Sequence, residues 1–368
     1  MSRTTSGVRC GGPQPNKAIG TGQTYGMDGT GQQVRLAVLD AGSNSAHLLV
    51  ADLVPGQPPT GVHSAKWPTR LAEDTDSGGN IRPAAISRLT TAVAEAGQAA
   101  DAYGAAGLIA YATSAIRDAA NRDQVTAEVR RDSGVRLDIL PGGAEARLEF
   151  LAVRRWHGWS AGPLLLLDIG GGSFEIAFGE GERPSHAVSL PLGAGRLAND
   201  FLRSDPPRKA ELRKLRQHVV SVLAQEAKGF PTVDDMTAVA TSRTFARLAR
   251  LSGAPKQTGT ERVPGRLDAA VLRARLPKLA SRTDAKRAKL KGISHRRARQ
   301  LLAGAVVADA AMTVLDLPYV EICPWALREG VLLQHASIPA TSTAQHRAAE
   351  LTGPTGVAAP PPATVASA

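Results

Sequence analysis

Apolar residues gather along this chain in short runs, separated by longer stretches compatible with helices. Strand-like runs occupy 34–40, 46–53, 107–112, 135–140, 164–169 and 174–178, the first opening as Val34-Arg35-Leu36-Ala37-Val38-Leu39. Helix-compatible stretches at 83–102, 114–131 and 143–155 fall between them, and this alternation predicts an α/β fold. The later half is richer in helix, near 208–227, 242–251, 268–279 and 294–315. The last of these holds the small-residue run Ala303-Gly304-Ala305-Val306-Val307-Ala308, which suits a closely packed, buried helix.

The pattern lapses at both ends. Residues 1–32 hold eight glycines and no continuous apolar core, which predicts a loose tail rather than an export signal, with Met27 an alternative start. Pro339 to Ala368 is rich in Pro, Ala, Thr and Ser without periodicity and predicts a second tail. The expected organisation is a tail over 1–32, a domain over 33–155, a second over 156–336 and a tail over 337–368.

A length of 368 residues has room for about two domains. Hydrophobic residues at 43% and charged residues at 21% exclude a wholly disordered, collagen-like or coiled-coil chain. Cys10 and Cys323 stand too far apart for a disulfide framework, so a reducing cytoplasm is the expected compartment. No apolar run approaches the roughly 20 residues of a spanning helix, so no membrane crossing is expected. A net charge of +11 favours polyanionic partners without choosing among them.

One internal echo organises the chemistry. An apolar run ending in Asp-x-Gly occurs at Leu39-Asp40-Ala41-Gly42 and again at Leu167-Asp168-Ile169-Gly170, each followed by another apolar strand. Strand, tight turn and strand would place an Asp and several backbone N–H groups at the mouth of a cleft in each half. In the first turn Gly42 permits close approach, while Ser43, Asn44 and Ser45 add donors, although alone these are ordinary hairpin residues. The second, Asp168-Ile169-Gly170-Gly171-Gly172-Ser173-Phe174-Glu175, sets three successive glycines between two carboxylates. That is a heavier entropy cost than a hairpin requires; an anion nest accounts for it, with Asp168 and Glu175 holding a hard cation such as Mg²⁺.

Glu145 opens a helix-compatible stretch after Pro141-Gly142-Gly143, where its carboxylate either serves the helix dipole or activates water. Upstream, Thr113 or Ser114 caps a stretch that carries Arg117 one turn in, placed to grip an anion or to pair with Asp118 or Asp123. None of the eight histidines shows metal-ligand spacing.

In this order the segments resemble the exopolyphosphatase and guanosine pentaphosphate phosphohydrolase family of the actin-like superfamily, over about residues 34–335. Asp168 to Glu175, Glu145-Ala146-Arg147-Leu148 and Ala326-Leu327-Arg328-Glu329-Gly330 carry the resemblance. It implies two actin-like (ribonuclease H-like) domains facing a central cleft, and release of terminal orthophosphate from inorganic polyphosphate with Mg²⁺. By that likeness Glu145 is the water-activating base, while Thr113 and Arg117 grip substrate. Gly42, Ser43, Asn44 and Ser45 match one phosphate-binding motif and Gly170, Gly171, Gly172 and Ser173 the other, with Asp40, Asp168 and Glu175 near the metal. Guanosine penta- or tetraphosphate is the alternative ligand, and a homodimer the expected assembly.

Two departures refine the expectation. Where many family members have Gly-Ser-Ser-Gly-Thr, this chain reads Ala240-Thr241-Ser242-Arg243-Thr244, so Arg243 crowds a nucleoside while offering a phosphate contact. The folded pattern stops near residue 335 without a histidine–aspartate hydrolase domain, so short polyphosphate is the expected substrate. Residues 262–299 hold 13 Lys or Arg against Asp268 and Asp284, either a strip that steers polyanions or a solvated face. Nucleic acid is the rival ligand, but six Phe, four Trp and four Tyr provide few stacking platforms. A kinase or ATPase of the same superfamily is a further rival, disfavoured by the altered 240–244 turn.

Overall fold

The structure, a computed structural model, describes residues 33–230, 235–255, 265–290, 293–294 and 297–336. Both expected tails lie outside the described residues. The first half runs β1 (Val34–Ala41), β2 (Ser45–Leu53), β3 (Thr60–Pro68), α1 (Pro83–Ala102), β4 (Leu108–Ala112), α2 (Ser114–Arg117), α3 (Arg122–Ser133), β5 (Asp138–Ile139) and α4 (Gly142–His157). The second runs β6 (Leu164–Ile169), β7 (Phe174–Gly179), β8 (His186–Leu190), α5 (Ala194–Phe201), α6 (Lys209–Glu226), β9 (Thr237–Ala240) and α7 (Ser242–Leu251). It ends with β10 (Gly265–Asp268), α8 (Ala269–Ala280), α9 (Asp284–Ala288), α10 (Ala298–Val314), β11 (Tyr319–Ile322) and α11 (Leu327–Ala336).

The echo in sequence is an echo in topology. One sheet has the order β3-β2-β1-β4-β5 and the other β10-β11-β9-β6-β7-β8. In each, an antiparallel meander (β1-β2-β3, β6-β7-β8) is extended in parallel from its first strand, by β4 or by β9. This is the α/β architecture of two actin-like lobes facing a cleft. Strands β6 and β7 are buried along their whole length, which is why they read as unbroken apolar runs.

Helix α1 starts at Pro83, whose fixed φ suits a first helical position, and buries Ile86, Leu89, Val93 and Ala96 against the face of β1 and β2 that carries Leu39, Leu48 and Val50. The opposite face of that sheet, with Leu36 and Val38, packs against Leu148 of α4 and Leu327, Val331 and Leu332 of α11. Helix α4 turns its other side, Ala146, Phe150 and Val153, onto Leu164, Leu166 and Ala177 of the second sheet. One helix therefore joins the two cores, and the last helix of the described chain returns to the first sheet. Among the described residues no helix is long and apolar enough to cross a membrane.

The expected helix over 114–131 is two helices. Asn121 breaks it by turning its side chain to the backbone of Ile81, accepting from the amide at 2.9 Å and donating to the carbonyl at 3.0 Å. Strands β3, β8, β9 and β11 and helix α5 carry no expectation from the pattern. The basic stretch is divided among roles rather than forming one face. Arg287 is fully buried and bonded to Asp284, Arg273 and Arg299 pair with Asp309 and Asp284, and Arg297 lines the cleft.

Candidate active site

Each echo becomes a hairpin. Asp40 is next to last in β1, opposite His47 of β2, with Gly42 to Asn44 in the turn; Asp168 is next to last in β6, directly opposite Glu175 of β7, with Gly170 to Ser173 in the turn. The hairpins meet. A Cβ on Gly171 would stand 2.8 Å from the Cβ of Ser43, and one on Gly172 would stand 2.5 Å from Ser114 Oγ. Such approaches require the absence of side chains, which accounts for consecutive glycines where a hairpin alone would not. Gln300 of α10 donates to Asn44 Oδ1 at 3.2 Å, tying the lobes together above the turns.

The cleft is walled by Asp40, Gly42 to Ser45, Thr113, Glu145, Asp168, Gly170, Gly171, Ser173, Glu175 and Arg243. Every site residue expected from sequence therefore reaches it except two. Gly172 presses against Ser114 beside it, and Arg117 stands behind Glu145. The guanidinium of Arg117 donates to Glu145 Oε2 at 2.8 Å and to the Leu140 carbonyl at 3.1 Å, and pairs with Asp118 at 3.3 Å.

One end of the cleft is acidic. Oxygens of Glu149, Asp168 and Glu175 lie within 4.8 Å of one another, and all three residues are buried. Asp40 does not belong to that group; its Oδ1 is buried without a hydrogen-bond partner. Thr241 donates to Asp168, and Ser189 donates to Glu175 at 2.7 Å. Like charges directly opposite on an antiparallel pair destabilise a sheet, so the Asp168–Glu175 pairing is unfavourable without a compensating cation.

The electrostatics agree. Burial, then the charge of Glu175, pushes the Glu145 carboxyl well above the usual range while Arg117 opposes. Burial, then Asp168 and Glu175, does the same to Glu149. Asp168 is raised to about 7, chiefly by burial against the pull of its Thr241 hydrogen bond; Glu175 is raised to about 7 by burial and Asp168. Burial raises Asp40 to about 6 although Arg328 and Lys66 oppose it. An all-oxygen, buried and mutually repelling donor set with an unbonded Glu149 Oε2 fits a hard divalent cation.

The other end is cationic, lined by Lys66, Arg243, Arg247, Arg297 and Arg328. Sequence reasoning missed most of this lining. Glu149 follows Glu145 by four residues on a helix and thus shares its face, a signal that was present. Arg328 sits inside the segment that carries the family resemblance. Lys66 lies on β3, an unexpected strand, and nothing local marks it.

Two facing lobes that bring glycine hairpins and carboxylates together define a phosphate-handling member of the actin-like fold. Residues 49–337 match the Ppx/GppA phosphatase family, and the chain belongs to it. It is 47% identical to Exopolyphosphatase 1 of Mycobacterium tuberculosis over 316 residues, which is 84% of this chain and 91% of that protein. The crystal structure of the Aquifex aeolicus Ppx/GppA family member is 25% identical and superposes with a TM-score of 0.70 over 82% of this chain and 97% of that one. An exopolyphosphatase from Cytophaga hutchinsonii, 23% identical, shares the fold with a TM-score of 0.75 over 83% and 98% of the two chains.

Proposed function

We propose that this protein is an exopolyphosphatase, releasing orthophosphate from the end of inorganic polyphosphate. The observation that carries the reading is the meeting of the two hairpins, Gly171 against Ser43, with Gly172 against Ser114 of α2 beside them, in a cleft with carboxylates at one end and, at the other, cations that have no side-chain partner among the described residues. Amides and hydroxyls of Gly42 to Ser45 and Gly170 to Ser173 hold the terminal phosphoryl oxygens. Glu149, Asp168 and Glu175 are the residues to hold Mg²⁺, which when bound neutralises phosphate oxygens and the crowded acids together.

Glu145 takes the proton of the attacking water. Water oxygen bonds to the terminal phosphorus, the bridging phosphorus–oxygen bond breaks, and the electron pair leaves on the shortened chain. Burial gives Glu145 a raised affinity for protons, which a general base needs, and Arg117 fixes its orientation through Oε2. Such a base supplies on the order of 10²- to 10⁴-fold, the electrostatic cradle the larger share.

No Phe, Tyr or Trp lines the cleft among the described residues, which favours a phosphate chain over a guanosine ligand needing a stacking partner. A cytoplasmic site of action is in keeping with Cys323, a buried thiol without a disulfide. The test offers purified protein short polyphosphate, guanosine pentaphosphate and ATP, each with Mg²⁺, and follows orthophosphate. Short polyphosphate is expected to turn over fastest; a clear preference for either nucleotide overturns the assignment.

A further inference from the structure

A second cavity opens off the cationic end of the cleft. Asn44, Ser45, Lys66, Arg243, Arg247 and Arg297 border both, and Pro68, Arg70, Glu73 and Ser294 complete the side chamber. Five cationic side chains thus face one carboxylate. None of the five has a side-chain hydrogen bond or ion pair among the described residues, although elsewhere in the fold arginines such as Arg35, Arg154 and Arg287 are bonded.

This crowding is held in place at a cost. Arg70 and Ser242 adopt φ of 57° and 65°, a left-handed backbone that residues with side chains seldom enter. One presents its own guanidinium and the other immediately precedes Arg243. The amides of Thr69 and Arg70 both donate to the Asn44 carbonyl at 3.2 Å, so the Arg70 turn is fastened to the first hairpin. Arg70 Nε is buried without a partner. Burial, then Arg243, Arg297, Arg247 and Arg328, depresses Lys66 to about 7, and burial followed by Arg297 and Arg243 lowers Arg247 to about 10. Cations are kept together here against their mutual repulsion, and a polyanion relieves it.

We infer that this side chamber binds the distal phosphates of the same linear chain whose terminal phosphate lies between the hairpins, so that Lys66, Arg70, Arg243, Arg247 and Arg297 set the preferred chain length. The inference rests on the exopolyphosphatase reading and adds a substrate ruler to it. Affinity rises from tripolyphosphate to the length that fills the chamber, then levels, because the chamber offers five cationic side chains and no more.

The experiment measures KM for tripolyphosphate and a series of longer chains of defined length, in wild type and in Arg70→Gln and Arg247→Gln. In wild type KM falls with length to a plateau. In each variant the ratio of the tripolyphosphate KM to the plateau KM falls about tenfold, the scale of losing one charge-assisted contact. A wild-type KM independent of length, or ratios equal to wild type in folded variants, overturns the ruler while leaving the hydrolase reading intact. Failure of wild type to release orthophosphate from any of these chains overturns the hydrolase reading itself. The wild-type length series decides even where a variant fails to fold, and melting curves identify that case.

Discussion

Gly330→Ala tests whether the packing of α4 against α11 positions the carboxylates. A Cβ at Gly330 would stand 2.6 Å from the carbonyl carbon of Leu148, 3.3 Å from its Cα, and closer still to its oxygen. Carbon atoms rest at about 3.5–4.0 Å, so the two helices must part by roughly 1 Å. Leu148 lies between Glu145 and Glu149, and the displacement therefore falls on the turn that carries both acids. Overpacking of this kind costs about 1–3 kcal/mol, and a misplacement near 1 Å costs on the order of 10²-fold in rate. The variant is expected to melt several degrees lower and to release orthophosphate about a hundredfold more slowly. Gly61→Ala, whose Cβ meets only Leu49 Cδ1 at 3.7 Å, serves as the control and keeps both properties. A Gly330→Ala protein with the wild-type melting temperature and rate would refute the reasoning.

Two further outcomes follow from the ends of the cleft. Lys66 is depressed from 10.5 to about 7 in the folded protein, so folding disfavours its charged form and ligand-free stability is lost as pH falls from about 10 toward 7. Lys66→Met removes that penalty and, discounted for the partial exposure of the side chain, stabilises the empty protein by about 1 kcal/mol near pH 7. Melting curves should show the advantage shrinking as pH approaches 10, and an advantage independent of pH contradicts the electrostatic cause. Glu149→Gln keeps the shape of the side chain and removes its charge. Its affinity for Mn²⁺, read from the signal of the free ion, is expected to fall at least about tenfold. An unaltered affinity excludes Glu149 from the cation site.

What was legible in the sequence follows burial. Strands β1 and β6 are apolar because they are central and covered, and α1 begins and ends where its spacing said it would. Strand β3 was invisible because it is an edge strand, largely exposed along Thr60–Pro68, with few apolar positions to repeat. Strand β9 has only four residues, too short a run to announce itself. The second hairpin was legible because a glycine run flanked by acids has few structural uses, and the first because it echoes the second. The company those hairpins keep was not, because Lys66, Arg247 and Arg297 come from separate elements and only the tertiary fold assembles them. Arg117 was read as gripping an anion or pairing with Asp118 or Asp123; it pairs with Asp118 and also with Glu145, a partner 28 residues away that no local pattern reveals.

The central claim is that Glu145 removes a proton from water while the hairpins hold the phosphate chain. The most direct measurement compares wild type and Glu145→Gln in two assays on one preparation, orthophosphate release with Mg²⁺ and equilibrium binding of short polyphosphate. The account expects release to fall on the order of 10²- to 10⁴-fold with binding retained. Undiminished release by Glu145→Gln would contradict it.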